Sequence, residues 1–207
     1  MRVRPLRRAA LVEELAERLV ARVAGRQRVL VDGAPPTDPG GLASELAARL
    51  RLLGRPALVV SASDFLRPAS VRLEHGHTDP DALLDDWLDV AALRREVLDP
   101  AVSSGWVLPR LWDARVDRAY RADRVPLAEN ETLVLSGALL LGRGLPAELT
   151  VHLRMSAAAL ARRLDPELHW MLPGYARYDA EHDPAGADVV VLADDPTRPA
   201  VLLPDPS

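Results

Sequence analysis

The segment "RVLVDGAPPTDPGGLASELAARLR", residues 28–51, joins a short apolar run to an amphipathic stretch through a turn rich in proline and glycine. The run at 28–33 is continuous and ends at Gly33, which predicts a buried strand. A helix is predicted after the turn, ending at Gly54, because leucines recur there at helical spacing. These are Leu42, Leu46, Leu50 and Leu53. A second apolar run ends at Ser61, so the pattern predicts a βαβ unit whose right-handed crossover makes the two strands parallel.

Three further apolar runs extend this pattern, at 132–137, 149–155 and 187–194. A helix predicted at 156–164 lies between two of them, and an amphipathic helix predicted at 5–24 precedes the first strand. We therefore predict a single α/β domain over residues 1–207, with a five-stranded parallel sheet and helices on both faces in three layers.

Two central segments differ in character. Residues 79–98 are predicted to be helical, with Asp79 as the N-cap before Pro80. Residues 103–131 contain scattered aromatic residues and little periodicity, so we expect an insertion, similar to a lid, over one end of the sheet. The chain ends in a proline-rich tail that starts at Pro196.

The composition narrows the classes of function. A formal charge of −4, with 26 cationic residues spread along the chain, gives no basic excess, and we expect no nucleic-acid partner. The longest apolar run is too short to span a bilayer, and glutamates interrupt the N-terminal one, so we expect a cytoplasmic protein without a membrane partner. All cations are arginine and cysteine is absent, which excludes a phosphate-binding lysine, a Schiff base and thiolate chemistry.

One short stretch has spacing that could suit a metal. His75 and His77 are separated by one residue, and Asp79 follows them. No second cluster supplies further ligands, so we interpret the stretch as a polar loop and expect no metal site.

The first βα turn is where an open parallel sheet binds its ligands. A phosphate-binding loop at this place has the pattern GxxxxGK[ST], with inward backbone N–H groups, a lysine for the outer phosphates and a hydroxyl for magnesium. Here Pro35, Pro36 and Pro39 have no N–H group, and no lysine is present. The turn alone is also compatible with an ordinary proline and glycine connection.

The turn and its flanks resemble the uridine kinase-like family of P-loop phosphotransferases, in its actinobacterial form. The family's "DGxDGAGKTTFADELAAxLR" is similar, without a gap, to "DGAPPTDPGGLASELAARLR" at residues 32–51. The resemblance implies a P-loop NTPase-like fold with a degenerate phosphate loop. In this sequence, the positions that correspond to the phosphate loop include Gly33, Asp38, Pro39, Gly40 and Gly41.

In this register the chemistry of the loop is replaced while its frame is kept. Pro39 stands at the lysine, Gly40 at the magnesium-binding hydroxyl and Asp38 at the preceding glycine. A register shifted to use Gly40 and Gly41 is the alternative. Loss of lysine, hydroxyl and amide cradle together is expected to make ATP turnover negligible, because single contacts of this kind contribute about three to five powers of ten in rate.

At two further strand ends, serine stands where the family that the chain resembles has an acidic residue. "SASDFLRP" (61–68) resembles the family's "xxDDFxRP", and Ser63 stands where the resemblance places the catalytic base, with Asp64 and Arg67 kept. "VLSGALLL" (134–141) resembles "LVDGIFL", with Ser136 in place of the strand-terminal acid. Asp64 is open to two interpretations, a ligand contact or a structural cap.

Three other segments carry the remaining candidates for the ligand cleft. "LWDARVDR" (111–118) resembles "VFDHRTDR", near the phosphate acceptor in the family, and "MLPGYARYDAEHDPAGADVVV" (171–191) resembles "YVPGQRLYLAEADPRARADVVV". A pair of arginines on the helix at 156–164 stands where such kinases carry lid arginines. The candidates are Asp113, Arg115, Asp117, Arg118, Arg162, Arg163 and Tyr178. Structural ion pairs or solvated surface positions are the alternative for the charged ones.

Three hypotheses follow. The first is an inactive or repurposed uridine kinase-like protein that binds an unidentified small molecule or protein through the former acceptor cleft and needs no cofactor. The second is an atypical kinase of a small hydroxyl compound, with ATP and magnesium, in which Arg67, Arg162 or Arg163 replaces the lysine. The third is unrelated acid and base chemistry by Asp64, Asp113 and Asp117.

Overall fold

The computed structural model describes residues 2–22, 25–195 and 198–203. Its strands are β1 Arg2–Pro5, β2 Gln27–Gly33, β3 Ala57–Ser61, β4 Trp106–Val107, β5 Trp112–Asp113, β6 Arg118–Ala119, β7 Val125–Pro126, β8 Thr132–Gly137, β9 Leu149–Arg154, β10 Val189–Leu192 and β11 Ala200–Leu203. Its α-helices are α1 Arg8–Val20, α2 Pro39–Leu52, α3 Ala69–Arg72, α4 Pro80–Asp85, α5 Val90–Ala92, α6 Asp99–Val102, α7 Ala157–Arg163 and α8 Leu172–Glu181. A π-helical stretch, Leu93–Leu98, joins α5 to α6.

The central sheet has seven strands in the order β1-β11-β10-β9-β2-β8-β3. The five strands from β10 to β3 run parallel, which confirms the predicted parallel sheet. The first of these along the chain, β2, lies between β8 and β9 and is therefore at the centre. Its C-terminal end, and the turn that follows it, open at the edge where ligands bind in sheets of this kind.

The sheet is covered on both faces, as predicted for a three-layer fold. Side chains of β2 alternate between two cores, with Val29 and Val31 facing one and Leu30 the other. The first core is filled by the leucine stripes of α1 and α2, whose leucines 11, 15, 19, 42, 46 and 50 are all buried. The prediction for Leu53 was wrong: α2 ends at Leu52, and Leu53, which follows it as the C-cap, is 36% exposed. The second core contains the helical segments between residues 80 and 102 and the aromatic residues of α8.

Two antiparallel strands at one edge of the sheet were not predicted. The last parallel strand, β10, pairs with β11, and β11 pairs with β1. All residues of β1 are exposed and β11 lies within the proline-rich tail, so neither has the continuous apolar pattern of a buried strand.

The N-terminal helix is shorter than the predicted 5–24. It begins at Arg8 because the preceding residues extend the edge ladder, with Leu6 N donating to Pro199 O at 3.0 Å. It ends at Val20, and positions 23 and 24 lie outside the described residues.

The helix predicted at 79–98 is interrupted. Helix α4 ends at Asp85, and the following residues pair with the segment after β3: Arg67 N donates to Trp87 O at 2.8 Å, and Asp89 N donates to Phe65 O at 2.9 Å. The Asp89 side chain then caps α5 by accepting from Ala92 N at 2.8 Å. A new N-cap and these long-range hydrogen bonds therefore override the local helical pattern.

Residues 103–131 contain two short antiparallel ladders, β4 with β7 and β5 with β6. The second ladder is joined to the end of β3 by a bridge between Phe65 and Trp112 and by Leu111 N donating to Asp64 O at 3.0 Å. The segment thus contacts the end of the sheet, and its role as a lid stays a prediction. Within the described ranges, no helix is long and apolar enough to cross a membrane.

The burial of α2 generates a stability prediction. Leu46 is fully buried in the core between α2 and the sheet, whereas Leu52 on the same helix is 78% exposed. We expect Leu46→Ala to lower the free energy of unfolding by about 2 to 5 kcal/mol, because the deletion leaves a cavity, and Leu52→Ala to change it by less than about 0.5 kcal/mol. Urea denaturation followed by circular dichroism measures both. Equal losses in the two variants would contradict the assigned face of the helix.

Candidate functional site

The turn between β2 and α2 is built from a 3₁₀ turn and a left-handed residue. Pro35–Thr37 forms the turn, closed by Thr37 N and Thr37 Oγ1, which both donate to Ala34 O at 2.8 and 2.7 Å. Gly33 is required here, because a Cβ at this position would lie 2.4 Å from Thr37 Oγ1. Asp38 has a φ of 57°, a conformation that aspartate tolerates better than most residues.

Asp38 places its carboxylate at the N-terminus of α2. Its Oδ1 accepts a hydrogen bond from Gly41 N at 2.9 Å, and Arg8 Nη2 lies 2.9 Å from its Oδ2. A Cβ on Gly41 would lie 2.0 Å from the same Oδ2, so only glycine leaves room for this cap. Asp38 therefore supplies the negative charge that a helix N-terminus favours.

Beside this turn lies an apolar cleft of about 310 Å³ at the C-terminal ends of β2, β3 and β8. The four positions where the family resemblance expects the lysine, the magnesium hydroxyl, the base and the strand-end acid all line it. They are Pro39, Gly40, Ser63 and Ser136. Leu83, Trp87 and Tyr175 also line the cleft, and none of the described residues that line it is charged. The replaced positions thus form one surface.

Hydroxyl groups are the main polar groups of the cleft. Ser61 Oγ and Ser63 Oγ are 2.8 Å apart and bond to each other. Ser136 is 3% exposed and Tyr175 is 8% exposed, and neither hydroxyl has a hydrogen-bond partner among residues 2–22, 25–195 and 198–203. Neither hydroxyl oxygen is among the fully buried unpaired side-chain atoms of the described residues, so both keep contact with solvent and are available to a ligand.

A buried hydrogen-bond network lies next to the cleft and is centred on Asp32, which is fully buried at the end of β2. Its Oδ1 accepts from Leu140 N at 2.9 Å, and its Oδ2 contacts His152 Nδ1 at 2.7 Å and accepts from Tyr178 OH at 3.0 Å. The Tyr178 hydroxyl also accepts from Leu141 N at 2.8 Å. The network ties β2, β9, α8 and the segment after β8 together.

The two buried tyrosines of α8 are held in the neutral form. Burial raises the pKa of Tyr175, and the charge of Asp32 raises it further. Burial also raises the pKa of Tyr178, with a second contribution from Asp32. Both phenols therefore act as hydrogen-bonding groups rather than as bases near neutral pH.

The predicted aspartates lie in the segment that contacts the end of β3. Asp64 Oδ1 accepts from Tyr120 OH at 3.2 Å. Asp113 Oδ1 accepts from Arg115 N at 3.0 Å, and Asp117 Oδ1 accepts from Ala69 N at 2.8 Å and from Trp112 Nε1 at 3.0 Å. These contacts order the turns of residues 111–120, and none of the three aspartates lines the apolar cleft.

The predicted arginines are also placed away from the cleft lining. Arg67 Nη1 lies 3.7 Å from Asp86 Oδ1, and Arg163 Nε donates to Asp194 O at 3.1 Å. The others are exposed: Arg115, Arg118 and Arg162. Tyr178, the remaining candidate, belongs to the buried network. The structure therefore brings the turn after β2 together with Ser63 and Ser136, but not with the candidate cations.

No group of three or more His, Asp or Glu side chains that could hold a metal ion occurs in the described part of the chain. Asp79 is the N-cap of α4, as predicted, and accepts from Asp81 N and Ala82 N at 2.8 and 2.9 Å.

The strand order and the similar solved structures define the class of protein: the chain has the fold of P-loop kinases. It is similar to the solved structure of a "Possible Uridine Kinase" from Bacillus stearothermophilus, with a TM-score of 0.72 and 19% identity over 86% of this chain and 96% of that one. It is also similar to a "putative fructose transport system kinase" from Silicibacter sp. TM1040, with a TM-score of 0.60 and 26% identity over 88% and 92% of the two chains. No family model matches the chain, and no curated protein sequence does.

Several residues of the site were missed from the sequence. Asp32 and His152 each interrupt an apolar strand, and a polar residue in such a run indicates a buried partner. That signal could have located the network. Leu83, Trp87 and Tyr175 carry no local signal, because the cleft forms only when distant segments pack together.

The two tyrosines of α8 provide a matched test of the network. Tyr178→Phe leaves Leu141 N without its acceptor and removes one donor from Asp32, so we expect a loss of about 1 to 3 kcal/mol in the free energy of unfolding. Tyr175→Phe removes a hydroxyl without a partner among the described residues, and we expect stability to be unchanged or slightly higher. Denaturant titration of the ligand-free proteins measures both, and a larger loss in Tyr175→Phe would contradict the assignment.

Proposed function

We propose that this chain is a catalytically inactive, repurposed uridine kinase-like protein that binds a small molecule through the cleft where such kinases hold their acceptor. The observation that carries the proposal is the Asp38 carboxylate at the N-terminus of α2, bonded to Gly41 N at 2.9 Å. An incoming phosphate would meet a fixed negative charge in place of free N–H donors.

The surrounding residues support the same conclusion. Phosphoryl transfer relies on charge stabilisation by lysine and magnesium and on a carboxylate that orients the nucleophile. Pro39, Gly40, Ser63 and Ser136 supply none of these groups, and all four lie in the cleft. A serine hydroxyl is far too weak a base to replace the carboxylate near neutral pH.

The arginine-based alternative has less support. Arg67 and Arg163 contact Asp86 and the Asp194 carbonyl, and Arg162 is exposed on α7. Arg8 is the cation that approaches the loop, but it is engaged by Asp38 and Glu45 at 2.9 Å each. A kinase function would need at least one of these arginines to leave its partner and reach the cleft.

Calorimetric titration with ATP, with and without magnesium, tests the proposal, with an active uridine kinase as the positive control. We expect a dissociation constant weaker than about 1 mM, which corresponds to about 4 kcal/mol of binding free energy. Micromolar binding that depends on magnesium, or release of ADP stimulated by an acceptor, would overturn it.

A single substitution isolates the effect of the Asp38 charge. Asp38→Asn keeps an oxygen that accepts from Gly41 N but removes the negative charge, so we expect the affinity for ATP to rise about tenfold. Glu45→Gln is the matched control, because Glu45 also contacts Arg8 but lies farther along α2. An equal gain in both variants would show that net charge, rather than the carboxylate at the helix N-terminus, weakens phosphate binding.

A further inference from the structure

We propose that the ligand of the apolar cleft is an uncharged, mostly apolar small molecule with a hydroxyl or carbonyl oxygen that hydrogen-bonds to Ser136 and Tyr175. This inference rests on the proposed function and specifies the chemistry of its ligand. The proposed ligand differs from a nucleotide, which would bring phosphate to the same edge of the sheet.

The apolar lining of the cleft favours an apolar small molecule. Its apolar lining includes Leu66, Leu83, Leu88, Leu139 and Met171. A cleft of about 310 Å³ lies at the small end of the range for small-molecule sites, which are mostly apolar with a few placed polar groups. It is too small to hold the many side chains that each partner contributes to a stable protein interface.

The aromatic wall is fixed before a ligand arrives. Trp87 Nε1 donates to Arg72 O at 3.0 Å, and the Arg72 guanidinium carbon lies 5.3 Å from the centre of the Trp87 ring. Trp170 packs against the same ring, with centroids 5.5 Å apart. A ring held by three contacts is a preformed surface for an apolar ligand, since little side-chain freedom is lost on binding.

Two unpaired hydroxyls of the cleft favour a ligand that carries a hydrogen-bonding oxygen. Ser136 and Tyr175 are both more than nine-tenths buried, both line the cleft, and neither has a partner among the described residues. A hydroxyl can donate or accept, so a hydroxyl or carbonyl oxygen of the ligand suits both groups. The two residues belong to different elements, β8 and α8, and both line the cleft.

Over the described ranges of the chain, the lining of the cleft lacks cationic side chains that could pair with an anionic ligand. No arginine or histidine is among the described residues that line the cleft. An anionic ligand would lose its hydration there without a counter-charge, and Asp38, next to the lining residue Pro39, would repel it. The cleft is therefore expected to select against phosphate and carboxylate groups.

A matched pair of probes tests this selection: 2-naphthol and 2-naphthyl phosphate share an apolar ring system and differ in charge. Calorimetric titration of the full chain is expected to show 2-naphthol binding at least about tenfold more tightly than the phosphate. Equal affinities, or tighter binding of the phosphate, would overturn the inference.

Substitutions locate the binding in the cleft. Ser136→Ala and Tyr175→Phe each remove one hydrogen bond, and we expect 2-naphthol affinity to fall about two- to tenfold in each. Ser44→Ala is the control, because Ser44 does not line the cleft and its hydroxyl bonds to the backbone O of Gly40 within α2. We expect the affinity of this variant for 2-naphthol to stay unchanged.

A cleft-filling variant provides an independent readout. No atom lies within 4 Å of where a Cβ on Gly40 would be, and Gly40 lines the cleft, so Gly40→Leu can place a side chain there without a backbone clash. We expect it to abolish 2-naphthol binding while the circular dichroism spectrum stays unchanged. Unaltered binding in this variant would show that the probe binds elsewhere and would overturn the inference.

The two proposals fail separately. Absence of 2-naphthol binding together with absence of ATP binding would overturn the ligand chemistry and leave the inactive phosphate loop standing. Micromolar magnesium-dependent ATP binding would overturn the proposed function itself, whatever the result with 2-naphthol.

Discussion

The hydrogen bond from Gly41 N to the Asp38 carboxylate is the interaction on which the functional interpretation depends. A helix that begins beside a ligand cleft presents N–H groups and a partial positive charge, and these attract an anion. In this chain the anion is the Asp38 carboxylate. Arg8 pairs with it, and Gly41 leaves room for it because glycine has no Cβ. In the proposed function, the carboxylate that caps the helix N-terminus also excludes a phosphate from it.

The frame around this turn does not depend on phosphate, because the Asp32 network supports it from within. One buried carboxylate joins the end of β2 to β9 through His152, to α8 through Tyr178 and to the segment after β8 through Leu140 N. Removing a partner from such a network leaves a buried polar group unpaired, which is costly. The scaffold can therefore keep its geometry while residues that line the open cleft change.

The substitutions in the cleft have a common physical effect. Proline and glycine at 39 and 40, and serine at 63 and 136, replace groups that carry charge or bind metal in the family that the chain resembles. The resulting surface is neutral and apolar, with hydroxyls as its main polar groups. A carboxylate in such surroundings would lose hydration, and no lysine or magnesium ion would be present to compensate its charge. If the chain is a repurposed kinase, as proposed, loss of the cation would favour loss of the acids.

The sequence by itself determined the elements with strong local signals: the five parallel strands, the leucine stripes of α1 and α2, the Asp79 cap and the proline-rich turn after β2. Each of these elements is predicted by a local pattern of a few neighbouring residues: a continuous apolar run, a helical repeat of leucines, or a capping or turn residue. The tertiary structure alone decided the edge strands β1 and β11, the interruption of the helix at Asp86–Asp89 and the grouping of Ser136, Trp87 and Tyr175 around one cleft. Those features depend on contacts between residues far apart in the chain, and no local pattern specifies which distant partners meet.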